Sequence, residues 1–323
     1  MKAIVQDRYG SADVLEFRDV EDPEMGEDEV LVRVRAAGCG PDVWHLMTGR
    51  PYFVRLMPGF YKMRAGVRGS DVAGVVQAVG AKVTDFRPGD EVMGEAQGSF
   101  AELSIVRPEK LAPKPARLSF EQAAAVPVSG VTALQALRDV ARLRAGQRVL
   151  VIGAAGGVGT FSVQIAKAFG AEVTGVCGPS KADLVRSIGA DGVIDYTRED
   201  FTDGTRSWEV IVDTAGRRPV SALARALTKG GTLAIVGGEG GGNWTGGFFR
   251  QILRAPILSL FTGQRLRPVT SRVRREDLHA LAELIEAGTV TPVVGKTYPL
   301  TEAPKAVRYL AEGHATGKVV ITV

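Results

Sequence analysis

The stretch that most constrains this chain is RVLVIGAAGGVGTFSVQIAKAFGAEVTGVC, residues 148–177. A short apolar run, a glycine-rich turn, a helical period and a second apolar run follow one another without a break. Strands that are apolar on both faces belong inside a sheet covered on both sides, and a helix between them makes them parallel neighbours. Val158, Phe161, Ile165 and Phe169 fall on one expected helical stripe, and Gly170 stops the helix. The alternation continues through KADLVRSIG (181–189) as helix and GVIDY (192–196) as strand. WEVIVDTAG (208–216) is the next strand, followed by a helix near 219–229 and GTLAIVGG (231–238). The expected class is α/β, with a doubly wound parallel sheet covered by helices on both faces.

The flanks have a different texture. EVLVRVRAAG (29–38) alternates, DVAGVVQAVG (71–80) is a second strand signal, and FRPGDEVMG (86–94) is a Pro-Gly-Asp turn feeding another strand. No long helical period is evident before 115, so this region reads as mostly β. SFEQAAAVPVSGVTALQALRDVARL (119–143) reads as helix, opened by Ser119 with Glu121 and Gln122 in its first turn. After the helix REDLHALAELIEAG (275–288), the tail from VTPVVGKTYPL to GKVVITV returns to strands. The α/β domain, placed at 122–273, is therefore expected to be inserted between 1–121 and 274–323.

At 323 residues with 24% charged and 45% hydrophobic residues, the chain suits two globular domains. The formal charge of +4 is small, and the arginine cluster RLRPVTSRVRR (265–275) has no interleaved aromatics. It reads as a solvated face rather than a nucleic-acid surface. Nothing approaches a transmembrane run, and MKAIVQDRYG has no apolar leader core, so a cytoplasmic location is expected. Two cysteines, Cys39 and Cys177, exclude a disulfide framework and a four-cysteine zinc lobe.

AAGGVG (154–159), after a strand and opening a helix, is placed as a dinucleotide-binding turn must be. Its glycines let the backbone approach a pyrophosphate, and the helix N-terminus stabilises that charge. Where NAD-specific folds put an acid on the ribose, this strand ends VCGPSKAD (176–183). A cation and hydroxyls in place of the carboxylate suit a 2′-phosphate, hence NADPH over NADH. The competing reading makes Ser180 an N-cap and Lys181 a surface residue.

With these residues in place, the chain resembles the medium-chain dehydrogenase/reductase superfamily, in its zinc-independent quinone oxidoreductase-like branch. EVLVRVRAAG, GSDVAGVVQAVG, FRPGDEVMG, AAAVPVSGVTAL, AAGGVG, GADGVIDY and GKVVITV carry the likeness end to end. The resemblance implies a GroES-like catalytic domain, an inserted Rossmann domain, a cleft between them and a homodimer. It implies NADPH-dependent reduction of quinones, enones or related carbonyls. By position, Gly156, Gly157, Val158 and Gly159 would hold the pyrophosphate. Ser180, Lys181 and Tyr196 would face the 2′-phosphate, with Gly178 beside the adenosine ribose. Thr132, Gly216, Gly237 and Gly238 would line the nicotinamide half.

Zinc-dependent relatives carry a cysteine two positions after the AAG-type glycine and a histidine in a GHE segment. Here those positions are Gly40 and Ser70, Cys39 is one residue early, and only His279 or His314 remain as outside candidates. No metal is expected, and Cys39 reads as a small buried hydrophobe. His45 aligns with a proton-relay histidine and Tyr52 with a cleft tyrosine, so both are candidate catalytic residues; the alternative is protonation by solvent, with His45 at the cleft rim and Tyr52 as its wall. Asp42 reads as an orienting group. The branch's NPxDW pattern is Gly40-Pro41-Asp42-Val43-Trp44 here, which weakens quinone as the substrate. The apolar, basic loop 50–68 suits a bulky hydrophobic substrate with an anionic end, contact with a partner or membrane surface, or ordinary packing as a surface loop. Enoyl-thioester reduction, or a slow cofactor-binding sensor or scaffold, are the alternative functions.

Overall fold

A computed structural model describes residues 1–52, 55, 66–238, 246–313 and 315–323. The chain separates into two compact units, 1–131 with 272–288 and 292–323, and 132–271 with 289–291.

The second unit holds a six-stranded, all-parallel sheet. In spatial order its strands are Gly192–Asp195, Glu172–Cys177, Arg148–Ile152, Trp208–Asp213, Leu227–Ile235 and Arg265–Pro268. In chain order this is 3-2-1-4-5-6, and the order in which strands are added switches from one side to the other between Arg148–Ile152 and Trp208–Asp213, which still run parallel. That switch point is where a doubly wound sheet opens a crevice at its carboxyl ends. The helix Gly157–Ala168 is buried from Gly159 through Ala166, polar Thr160, Ser162 and Gln164 included. The expected single stripe is therefore too narrow: this helix is enclosed nearly all round. Gln164 makes that possible by donating to the Thr291 carbonyl and accepting from the Thr291 amide.

The first unit is built on a sheet ordered Val294–Pro299, Lys318–Thr322, Val30–Cys39, Asp71–Val79, Glu91–Glu95 and Leu111–Pro113, with Leu103–Val106 also paired to Val30–Cys39. A smaller sheet joins Glu16–Asp19, Lys2–Gln6 and Gly66–Val67. The register sets Val319 beside Cys39 and Asp71 beside Gly38, so the last strand crosses the end of the AAGCG segment. Two expectations need correction. The region before 115, read as mostly β, contains a helix: Pro41–Thr48, with Pro41 in its first turn and Gly49 left-handed at its end (φ 57°). The segment 119–143 is not one helix either. It breaks into Phe120–Ala124 and Pro127–Gln135, because the residue before proline avoids the helical region, and continues as a π-helical turn over Ala136–Ala141. Ser119 does cap it, with Gln122 completing a capping box.

Candidate active site

In the second unit, the carboxyl ends of the central strands gather the expected cofactor residues. Gly153, which the sequence reasoning passed over, turns the chain with φ 79°. Its amide and that of Ala154 both donate to the Val176 carbonyl at 3.1 Å. Gly156 is the N-cap of the helix, with no side chain capping the first turn. Orphan amides of a helix start, beside partly exposed Gly156, Gly157 and Val158, form an anion cradle. Gly159 has a different task. A Cβ there would lie 2.1 Å from the Gly153 carbonyl oxygen, so its hydrogen lets helix and turn touch. The residues fit a dinucleotide.

Across the switch point, Asp213 ends its strand and is 1% exposed. Its Oδ1 accepts from the amides of Ala215 (3.1 Å) and Gly216 (2.9 Å), while Oδ2 is buried without a hydrogen-bond partner. Burial pushes this carboxyl up to about 6, against the pull of the two amides. The bonds shape the turn that holds Gly216 left-handed at φ 62°. A Cβ on Gly216 would meet Gly238 at 2.5 Å, and one on Gly237 would meet the Thr214 carbonyl at 2.1 Å. Gly216, Gly237 and Gly238 thus pack backbone on backbone. Asp213 was missed from sequence, although an acid closing a VIVD strand was its signal. Thr132 is buried in the same unit and donates to the Ser271 hydroxyl at 2.8 Å.

At the ends of Glu172–Cys177 and Gly192–Asp195, Gly178, Ser180, Lys181 and Tyr196 lie on one edge. Cys177 pairs with Asp195, and Tyr196 is 48% exposed. A Cβ on Gly178 would meet the Tyr196 ring and hydroxyl only at 3.9 Å, so the protein itself leaves room there. Ser180 caps neither the turn Pro179–Lys181 nor the helix Ala182–Ser187, which removes the competing N-cap reading. Burial lowers the Lys181 ammonium below its usual range, opposed by Cys177.

In the first unit, His45 sits in the last turn of Pro41–Thr48, and its Nδ1 lies 2.8 Å from the Arg50 carbonyl oxygen. A carbonyl only accepts, so Nδ1 carries the hydrogen and Nε2 is the ring's other working atom. Arg50 also reaches the Tyr52 ring, at 5.9 Å from its centroid, and Arg55 stacks at 4.6 Å from Tyr52 and 4.5 Å from Tyr9. Arg55 donates to the carbonyls of Gly49 and Thr48, closing the helix C-terminus. Of the expected substrate loop 50–68, residues 53, 54 and 56–65 lie outside the described residues, as does His314.

Around Gly40 and Ser70 the donors do not suit zinc. Burial drives the Cys39 thiol up to about 12, with Asp42 adding to the effect, so it resists becoming a thiolate. Ser70 donates to Asp42 Oδ2, and the Lys318 ammonium lies 2.6 Å from Asp71. His279 is exposed on the helix Arg275–Glu286. Among the described residues no three His, Cys, Asp or Glu side chains are grouped to hold a metal.

A 3-2-1-4-5-6 parallel sheet with a glycine-rich turn at its switch point is the architecture of a dinucleotide-binding domain. Residues 26–116 match the family described as alcohol dehydrogenase GroES-like domain, and residues 188–321 match that described as zinc-binding dehydrogenase. The chain is 31% identical to NAD(P)H oxidoreductase RTN4IP1, mitochondrial, of Bos taurus, over all of this chain and 89% of that protein. It is 34% identical to the NADPH-dependent alkenal/one oxidoreductase, chloroplastic, of Arabidopsis thaliana, over 99% of this chain and 79% of that one. The structure of the quinone oxidoreductase from Coxiella burnetii superposes with a TM-score of 0.88 at 28% identity, covering 100% of this chain and 99% of that chain. The chain belongs to the medium-chain dehydrogenase/reductase superfamily, is quinone oxidoreductase-like, and is an NAD(P)H oxidoreductase.

Proposed function

We propose that this enzyme is an NADPH-dependent, zinc-independent reductase acting on quinones, enones or related electron-poor carbonyl compounds. The observation carrying the cofactor choice is the end of Glu172–Cys177, where Gly178, Ser180, Lys181 and Tyr196 stand in place of an acid. A partly buried ammonium that has lost water gains most from an anionic partner, and Ser180 and Tyr196 add hydroxyls. Gly156, Gly157, Val158 and Gly159 would hold the pyrophosphate. Thr132, Gly216, Gly237 and Gly238 would bound the nicotinamide half.

The cofactor, when bound, supplies a hydride from C4 of its nicotinamide. The protein's task is to hold the acceptor in reach, exclude water and settle the proton. With Nδ1–H committed to Arg50, neutral His45 offers Nε2 as an acceptor and its doubly protonated form offers an Nε2–H donor. It would receive a proton from water and pass it on to the reduced substrate. Tyr52, gripped between two guanidinium groups, would wall the substrate or donate from its hydroxyl. The alkenal/one and quinone activities named for the relatives support the substrate class.

We also propose a homodimer. Four of the six large apolar side chains exposed among the described residues, Leu253, Ile257, Leu260 and Phe261, form one strip on Gly246–Thr262. No helix among the described residues is long and apolar enough to cross a membrane. Two free, buried cysteines suit a reducing compartment such as the cytoplasm.

Loss of NADPH absorbance across a panel of quinones, enones and enoyl thioesters tests the reading. Turnover is expected on quinones or enones, with NADPH bound at least roughly tenfold tighter than NADH, a gap of about 1.4 kcal/mol. Preference for a crotonyl thioester would move the assignment to enoyl reduction. Binding without turnover would make the chain a sensor or scaffold.

A further inference from the structure

The most unusual charges among the described residues lie in the first unit. Lys318 and Asp71 are 3% and 0% exposed, with Nζ 2.6 Å from Asp71 Oδ2. Lys318 also donates to the Ser129 hydroxyl at 3.3 Å, and Asp71 Oδ1 accepts from the Val128 amide at 2.7 Å. Burial works against the Lys318 ammonium, but Asp71 and Asp42 outweigh it and raise its affinity for the proton. Such an arrangement is a costly way to gain stability, since apolar residues of similar volume do as well or better. It calls for another purpose.

That purpose is visible at Gly40. A Cβ there would lie 2.4 Å from Asp42 Oδ1 and 3.2 Å from Lys318 Nζ, so the ammonium stands at the start of the helix Pro41–Thr48. This helix has only eight residues and no side-chain N-cap. Val43 and Met47 bury its inner face, but apolar packing is non-directional and does not set rotation to a fraction of an ångström. Directional contacts at its first turn come from Asp42, through Ser70 and the field of Lys318. His45 lies three residues on, one turn along the same face.

We infer that Lys318 is a positioning residue for His45. Its buried ammonium, paired with Asp71 and acting on Asp42 through its field, pins the first turn of the helix, and the helix delivers the imidazole. Without that cation the two carboxylates face each other uncompensated, the first turn shifts, and the bond from Nδ1 to the Arg50 carbonyl loosens. The inference rests on the catalytic role proposed above for His45, but its primary test does not.

The chain has three histidines, so imidazole nitrogen NMR of the full chain can follow each, with His45→Gln assigning the signal. In the native protein His45 should show the Nδ1–H tautomer. Lys318→Met should average or reverse it and lower kcat roughly ten- to a hundredfold with a smaller change in KM. Lys318→Arg should restore much of the native signal. If Lys318→Met folds poorly, Lys318→Met/Asp71→Asn removes both charges together; it should recover thermal stability yet keep the disturbed His45 signal. An unchanged His45 tautomer in either folded variant would overturn the inference and leave Lys318 a structural counter-ion. Unchanged turnover in His45→Gln would instead refute the catalytic role of His45, with the NMR outcome standing separately.

Discussion

Gly156 and Gly159 are three residues apart in one glycine-rich turn, and the structure gives them separable duties that two alanine substitutions should expose. Alanine at 159 is a gain on helix propensity, about 1 kcal/mol over glycine. Against this, its Cβ would be 2.1 Å from the Gly153 carbonyl oxygen and 2.9 Å from the Ala154 Cα and carbonyl carbon. These are backbone atoms that cannot rotate away, so helix and turn must separate by roughly an ångström, for a van der Waals contact needs about 3.5 Å. Overpacking of this kind costs about 1–3 kcal/mol. The clash should outweigh the propensity gain by up to about 2 kcal/mol, lowering the melting temperature and weakening NADPH binding by up to roughly 30-fold. Alanine at 156 meets Gly153 O only at 3.4 Å, with an unremarkable φ of −84°. The protein should accept it with an unchanged melting temperature, and only NADPH affinity should fall, because a methyl would stand where the pyrophosphate is proposed to lie. Fluorescence titration of NADPH beside thermal melts of both variants reads this out. Full NADPH affinity in Gly156→Ala would refute the cradle, and a native melting temperature in Gly159→Ala would refute the close packing.

Lys181→Ala should cost NADPH roughly tenfold in affinity and NADH little, about 1.4 kcal/mol of selectivity; equal losses for both would refute the phosphate role. Asp213 has its folded pKa raised to about 6 from an unfolded value near 3.9, so its ionised form is disfavoured in the fold. Its penalty is full above about pH 6 and disappears as pH falls toward 4. Asp213→Asn should therefore lose about 2–3 kcal/mol relative to the native protein on going from pH 7 to pH 4, read by urea unfolding. A flat difference would refute the desolvation argument. Leu260→Asp should turn the proposed dimer into a monomer in light scattering, and a monomeric native protein would sink the apolar-strip argument. Metal analysis should find no stoichiometric zinc in the purified chain.

What could be read before the coordinates depended on how local the governing physics is. The strands Arg148–Ile152, Glu172–Cys177 and Trp208–Asp213 are apolar runs with turns at their ends, and the helices between them make them parallel. The glycine-rich turn was legible because it stands between an apolar strand and a helical period. The helix Pro41–Thr48 was not, although it carries Pro at its start and a left-handed Gly49 at its end. Eight residues give too little period to weigh against the surrounding strand signals. Asp71 and Lys318 were harder still, being 247 positions apart. Only the register that lays Lys318–Thr322 along Val30–Cys39, and that strand along Asp71–Val79, brings a buried lysine to a buried aspartate. A lysine in the KVVIT strand is an anomaly that sequence can flag, but its partner is set by pairing. That anomaly now has a physical explanation: the position nearest the start of the His45 helix needs a cation whose neighbours are chosen by the sheet.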